Sequence, residues 1–225
     1  VYGGVRLPAT GRDVGVPDPG IHVAWAHQTV LIVDIVESVR AMEQDQAGFV
    51  SRWLAQVNHA KTHVLPQHGG RLVKSLGDGM LLAFDDVRSG VSAALAIQQA
   101  SRDANTRELP AHQMLLRMGM EVSDVIVERD DVHGHGVNLA HRLSGLAGPG
   151  EIVVSQRVRD RLTPGLDADV VDLGDCFLRH VSQPVRAYRL GPRGERPVSR
   201  HTASLDGLAP WIAVLPFAAR DHADV

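Results

Sequence analysis

One short stretch does most to limit how this chain can fold, namely two apolar runs around a tight turn in "GGRLVKSLGDGMLLAF", residues 69–84. Glycine takes the positive φ angle that a hairpin turn needs, so Asp-Gly between strand-forming residues predicts a β-hairpin. Asp78 can serve the turn alone, because aspartate and glycine are common in turns for backbone reasons. Lys74 is harder to explain, since it interrupts apolar residues and a buried lysine is costly unless it is paired. The rest of the chain must supply its partner.

Composition limits the class of protein. The 225 residues carry a net charge of -3 and are 44% hydrophobic, enough for one sizeable core. The absence of a basic stripe argues against nucleic acid as the main partner. The single Cys176 favours a reducing compartment, so we expect a cytoplasmic protein. No apolar run is as long as a membrane span and no signal pattern opens the chain, so we expect no membrane contact in this sequence. Because it begins at Val1, we expect the sequence to be a fragment or a processed product.

Hydrophobic patterning predicts the order of the elements. A continuous apolar run at 29–35 predicts a buried strand, and helical spacing predicts helices over about 44–66 and 86–104, on either side of the hairpin. Two further strands are predicted at 113–122 and 124–128, separated by Ser123. The order β, α, β, β, α, β predicts an α+β fold with a ferredoxin-like core, an antiparallel sheet with helices on one face.

Further elements extend this core. A third helix is predicted at about 135–147, where Gly148-Pro149-Gly150 stops it. C-terminal strands are predicted at 151–155, 168–176 and 184–190. The domains follow in order: an irregular arm at 1–26, one folded domain at 27–190, and at 191–225 a linker with the truncated start of another domain, whose first strand is "WIAVLPF" at 211–217.

Polar residues collect where these elements meet. Asp34 ends the first strand and Asp78 lies at the hairpin tip, and in a ferredoxin-like sheet these strands are neighbours. Two carboxylates at adjacent strand ends can bind Mg²⁺ or Mn²⁺. Asn138 and Arg142 are four residues apart on the third helix, so they share a face and can act on one ligand. Arginine also suits phosphoryl charge.

These motifs together resemble the class III nucleotidyl cyclase catalytic domain. The resemblance covers about residues 27–190 and is carried by "LIVDIVES", "GGRLVKSLGDGMLLAF", "DDVHGHGVNLAHRLSGLAGPGEIVVS" and "LGDCFLRHVSQPVRAYRL". The second and third blocks are highly specific in combination. The segment "WIAVLPF" is similar to the start of a TolB-like module that follows such cyclases in some bacterial proteins.

The resemblance implies a role for each candidate residue. Asp34, Asp78 and the backbone carbonyl of Ile35 would hold two divalent cations, Mg²⁺ or Mn²⁺. The base would be read by Lys74 and Asp131, and the terminal phosphates would meet Arg179, a position often occupied by lysine in the family. Asn138 would orient the ribose and Arg142 would stabilise the transition state. Because such sites form between two chains and this chain carries both residue sets, the resemblance also implies a homodimer with shared active sites.

Base polarity suggests the substrate. Adenine presents an acceptor at N1 and a donor at its exocyclic amine, which a lysine and an aspartate complement. Guanine reverses this order, so Lys74 and Asp131 favour ATP and the product 3′,5′-cyclic AMP. Cytosine shows the adenine-like order on a smaller ring, so CTP stays open as a substrate.

Some residues depart from the family pattern and leave alternatives. Glu37 and Val39 stand where the family often has Gly and Thr or Ser, and Glu121-Val122-Ser123 stands where it often has His-x-Gly. These departures leave open a weakly active or degenerate domain that acts as a dimerising regulatory module, although no key side chain is lost. A cyclic-dinucleotide synthase is disfavoured because its acidic Gly-Gly-acidic turn is missing. Zinc is also disfavoured, because the histidine clusters lack accompanying Cys ligands or a Glu base; they comprise His59, His63, His133, His135 and His141.

Overall fold

A computed structural model describes residues 23–128, 131–162 and 168–194, which form an α+β fold around one large sheet. The strands are β1 (Val23–Ile35), β2 (Arg71–Ser75), β3 (Gly79–Phe84), β4 (Leu116–Glu128), β5 (Asp131–His133), β6 (Ile152–Ser155), β7 (Ala168–Cys176) and β8 (Val185–Pro192). The α-helices are α1 (Ser38–Gln44), α2 (Gln46–His59), α3 (Leu65–Gln67), α4 (Val87–Asn105), α5 (His135–Ser144) and α6 (Gln156–Asp160). A π-helical turn at Ala60–Val64 joins α2 to α3, and a 3₁₀ turn at Pro110–His112 precedes β4.

The sheet order confirms the predicted ferredoxin-like core. The strands lie in the order β2-β3-β1-β4-β6-β8-β7, and β5 pairs with β4 outside this path. The first four are all antiparallel neighbours, with the hairpin β2-β3 beside β1 as expected. The additional C-terminal strands join through β6, which runs parallel to β4.

The two faces of the sheet are covered by different helices. On one face, Phe49 and Trp53 of α2 and Ile97 of α4 are buried against β1 and its neighbours. This is the single helical face that the sequence predicts for the core. On the other face, Ala140 of α5 is buried against Val30 of β1. Helix α5 comes so close to β4 that a side chain at Gly119 would lie about 2.1 Å from the backbone of Ala140.

Three predicted boundaries are wrong. β1 begins at Val23, so residues 23–26 of the predicted arm are strand, paired with 125–128 of β4. β4 does not break at Ser123, because Gln28 of β1 lies opposite it in register. The helix predicted at 44–66 is interrupted at Asp45, whose side chain accepts a hydrogen bond from the Gly48 amide and caps α2.

The C-terminal elements lie close to their predicted positions. α5 ends at Ser144, a few residues earlier than predicted, and β8 extends to Pro192. The strand predicted at 211–217 lies outside the described residues. Within the described part of the chain, no helix combines the length and apolar character needed to cross a membrane.

Candidate active site

Two carboxylates meet at one edge of the sheet, where β1 ends and β3 begins. Asp34 lies opposite Gly79 in the register of these strands. The amide of Ile35 donates to the carbonyl of Asp78 at 3.3 Å, which ties the hairpin tip to the end of β1. Trp53 pins the same turn, because its indole N–H donates to the Gly77 carbonyl at 2.7 Å. The predicted proximity of Asp34 and Asp78 is therefore found.

Each of these carboxylates has a polar partner that sequence reasoning missed. Arg117 on β4 lies opposite Asp34 and donates from Nε and Nη2 to its Oδ2 at 2.8 and 2.6 Å. The buried Ser38 hydroxyl donates to Oδ2 of Asp78. Arg117 had a signal in the sequence, since a cation inside an apolar strand needs an acidic neighbour. Ser38 had none, because its role depends on how α1 leaves β1.

This edge suits a hard divalent cation. Carboxylate and carbonyl oxygens are the ligands that Mg²⁺ and Mn²⁺ prefer, and Asp34, Asp78 and the Ile35 carbonyl supply them from adjacent chain segments. All three side-chain hydrogen bonds to the two carboxylates go to an Oδ2 atom, so Oδ1 of each has no hydrogen-bond partner among the described residues. No three His, Cys, Asp or Glu side chains converge in that part of the chain. A cation here would therefore take its remaining ligands from a substrate and water.

Glu37 takes an unusual conformation just after this edge. Its φ of 54° is in the left-handed region, where residues with a Cβ are disfavoured and glycine is not. This backbone conformation therefore explains physically why glycine is favoured at this position. The exposed carboxylate of Glu37 accepts from Arg40 at 3.2 Å on the first turns of α1.

The acidic partner predicted for Lys74 is Asp131. The ammonium group of Lys74 on β2 donates to Oδ2 of Asp131 on β5, and the Val132 amide donates to Oδ1 at 2.8 Å. Hydrogen bonding from Lys74 holds the pKa of Asp131 below its ordinary value, with further help from the Val132 amide and from His133. Lys74 is not buried, since 46% of its side chain is exposed. The pair therefore presents both a donor and an acceptor to solvent.

Asn138 and Arg142 lie one turn apart on α5, on the side away from its buried residues. Leu139, Ala140 and Leu143 are buried, whereas Asn138 is exposed and Arg142 is half-buried. Among the described residues neither side chain has a hydrogen-bond or ion-pair partner. Both are therefore free to meet a ligand.

Arg179 stands apart from the other candidates. It is exposed in the connection between β7 and β8, next to His180, which has a positive φ of 62°. Within the described ranges, no hydrogen bond or ion pair joins Arg179, Asn138 or Arg142 to the Asp34–Asp78 edge or to the Lys74–Asp131 pair, although α5 packs against β5 through Ala140 and Val132. The candidate residues of one chain therefore form four groups that no polar contact joins in the described part of the chain.

An unexpected buried acid lies beneath α5. Glu121 on β4 has a side chain that is only 1% exposed, and neither carboxylate oxygen has a hydrogen-bond partner among the described residues. Burial raises the pKa of Glu121, and the nearby Ser155 hydroxyl, the Arg157 guanidinium 4.0 Å away and the Val122 amide act in the opposite direction, although none of them meets hydrogen-bond geometry. The Ser123 hydroxyl is also buried without a described partner and fills the space where Gly136 lacks a Cβ. Both residues belong to the segment that departs from the expected His-x-Gly.

Comparison with known proteins agrees with the fold. The chain belongs to the Adenylate and Guanylate cyclase catalytic domain family, whose profile it matches over residues 24–191. A solved adenylate/guanylate cyclase/hydrolase from Silicibacter pomeroyi is 28% identical, has a TM-score of 0.66, and is similar over 75% of this chain and 98% of that one. The resemblance noted in the sequence is thus confirmed at the level of family and fold.

Two curated relatives extend the comparison. A protein of Rhizobium meliloti (strain 1021) named as an adenylate cyclase is 33% identical over 193 residues, which are 84% of this chain and 33% of the relative. The adenylate cyclase of Streptomyces coelicolor is 27% identical over 213 residues, 92% of this chain and 51% of the relative. The chain therefore spans between a third and about half of the length of these relatives.

Proposed function

We propose that this domain is an adenylate cyclase that converts ATP to 3′,5′-cyclic AMP and pyrophosphate. The observation that carries the proposal is the pairing of Lys74 with Asp131, which sets one donor beside one acceptor at a solvent-accessible position. Adenine complements that order with its N1 acceptor and its amine donor. The similarity to proteins named as adenylate cyclases supports the same substrate.

The reaction is an in-line displacement at phosphorus. The ribose 3′-oxygen forms a bond to the α-phosphorus, the bond from that phosphorus to the bridging oxygen breaks, and the electron pair leaves with pyrophosphate. The proton of the 3′-hydroxyl passes to solvent. Two divalent cations, held by Asp34, Asp78 and the Ile35 carbonyl, would supply the charge that makes the hydroxyl acidic and neutralises the triphosphate.

Residues on α5 and after β7 complete the proposed site. Asn138 would hold the ribose so that its 3′-oxygen faces the phosphorus, and Arg142 would place positive charge where negative charge develops in the transition state. Arg179 would bind the terminal phosphates. Because the family resemblance implies sites formed between two chains, and no hydrogen bond or ion pair joins these groups to the Asp34 edge in the described part of one chain, we propose that a homodimer forms the site from both subunits. A cytoplasmic location belongs to the same proposal, because a single cysteine is typical of proteins in a reducing compartment.

Other nucleotides are the main competitors. Guanine would meet Lys74 and Asp131 with reversed polarity, so GTP should be a poor substrate. Cytosine presents a compatible edge, and the size of the assembled pocket would decide whether CTP reacts. A degenerate domain that only dimerises is the other alternative, and it predicts no cyclic product from any nucleotide.

The direct test is incubation of the protein with ATP, GTP, CTP and UTP separately in the presence of Mn²⁺ or Mg²⁺, with cyclic products identified by mass. We expect cyclic AMP to dominate and the activity to require a dimer. Preferential formation of cyclic GMP would overturn the base assignment. No cyclic product in a dimeric, folded sample would favour the regulatory module.

A further inference from the structure

A histidine lies against the acceptor half of the proposed base-reading pair. The Nε2 atom of His133 is 3.4 Å from Oδ2 of Asp131, the same oxygen that accepts from Lys74. His133 is half exposed, with 51% of its side chain in contact with solvent. Its ring can therefore exchange a proton with water without unfolding β5.

We propose that His133 is a specificity-determining residue which, on becoming protonated, weakens the preference of the site for ATP over GTP. The proposal rests on the proposed function, in which Asp131 accepts from the exocyclic amine of adenine. It adds a residue that the sequence analysis connected only with zinc. If His133 has this role, the preference of the site for ATP over GTP depends on the pH.

The charges around Asp131 explain why one more proton matters. From β2, Lys74 contributes one positive charge to the carboxylate, and from β4, Glu128 lies opposite Asp131 in register and contributes a negative one. From β5 itself, His133 adds either no charge or one positive charge. From α5, which packs against β5, the titratable residue closest in sequence is His135, and no hydrogen bond or ion pair joins it to Asp131 among the described residues. Protonation of His133 therefore changes the local balance by a full unit at 3.4 Å.

The direction of the effect follows from the polarity of the two bases. A cationic His133 attracts the Asp131 carboxylate and competes with the adenine amine for it. The same positive charge favours the carbonyl oxygen that guanine presents in that region. Acidification should therefore lower kcat/KM for ATP relative to GTP. At partial solvent exposure we expect the ratio to fall about three- to tenfold between about pH 8 and about pH 6.

The experiment uses the ratio of kcat/KM for ATP to that for GTP, measured on the dimeric protein at both pH values. The ratio cancels effects that both substrates share, including titration of the triphosphate and changes in metal binding. Two substitutions fix the charge of the side chain. His133→Gln keeps a polar side chain that cannot be protonated, and His133→Lys is positively charged throughout the range. His135→Gln is the matched control two residues further along the chain.

The proposal makes a different forecast for each protein. The ratio should fall on acidification in the wild type and in His135→Gln. It should stay at the alkaline wild-type value in His133→Gln and at the acidic wild-type value in His133→Lys. A ratio that falls equally in His133→Gln would overturn the role of His133 while leaving the adenylate cyclase intact. A wild type that makes no cyclic AMP would instead overturn the proposed function.

Discussion

Removing the buried carboxylate of Glu121 should stabilise the domain. Its side chain is 1% exposed between β4 and α5, and both oxygens lack a hydrogen-bond partner among the described residues. A buried polar group without a partner costs about 1–3 kcal/mol. Glu121→Met fills a similar volume with an apolar chain, so we expect the free energy of unfolding at about pH 8 to rise by about that amount.

The gain should depend on pH in a defined direction. Burial raises the pKa of Glu121 above its ordinary value of 4.5, so the folded protein holds this proton more tightly than the unfolded chain does. The stabilising effect of that proton is complete below pH 4.5 and is lost as the pH rises through the raised value in the folded state. The difference between Glu121→Met and the wild type should therefore be smaller near pH 4.5 than at neutral and alkaline pH.

Urea unfolding of both proteins at about pH 5 and about pH 8 measures this difference, and other titrating groups cancel in the comparison. For a chain of this size, each kcal/mol corresponds to about 2–4 °C in Tm. Glu121→Gln is the control, since it removes the charge but keeps a buried polar group and should gain less. If Glu121→Met were destabilised at about pH 8, the carboxylate would instead be held productively by Arg157, and the reasoning from its missing partners would be wrong.

Three further outcomes test the proposed site. Asp78→Ala should abolish cyclase activity and weaken Mn²⁺ binding measured by calorimetry while the dimer stays folded, whereas near-normal turnover at saturating Mg²⁺ would refute its role as a metal ligand. Asp34→Ala and Arg142→Ala should each be inactive, yet a mixture should regain activity through heterodimers with one intact site; silence despite proven subunit exchange would contradict a shared site. Lys74→Glu combined with Asp131→Cys should lower kcat/KM for ATP relative to GTP by about one to two decades for each mismatched contact, because each such contact costs about 1–3 kcal/mol. An unchanged ratio in a well-folded double variant would exclude base reading.

The parts of the fold that could be predicted from sequence are those whose signals are local. The Asp-Gly turn predicts the hairpin, and helical spacing predicts α4 over nearly its full length, Val87–Asn105. The start of β1 could not be predicted in this way. Its first residues follow a segment rich in Gly and Pro, and they are strand because β4, about a hundred residues later, pairs with them. Pairing with a strand so distant in sequence cannot be read from the few residues around residues 23–26.

The residues of the candidate site also differ in whether the sequence alone could predict their positions. Asp34 and Asp78 could be placed together because the order of strands makes β1 and β3 neighbours. The position of Lys74 among apolar residues predicted that it needs a partner, and the family resemblance indicated Asp131. Ser38 could not be found, because its contact with Asp78 depends on the left-handed turn at Glu37 and the path of α1. The contact between His133 and Asp131 was not predicted either, because it depends on the direction of the two side chains within the short strand β5.

In the proposed site, a base that Lys74 and Asp131 recognise would have to replace the existing ion pair between these two side chains. A nucleotide that binds at this position replaces an existing contact, and its net affinity is the difference between the old and the new partners. Because both side chains are partly exposed, separating them costs little, on the order of 1 kcal/mol or less. A base that satisfies both ends recovers that cost, while one that satisfies neither leaves two charges without partners. In the proposed site, the pair would thus reject a wrong base without having to bind the right one tightly.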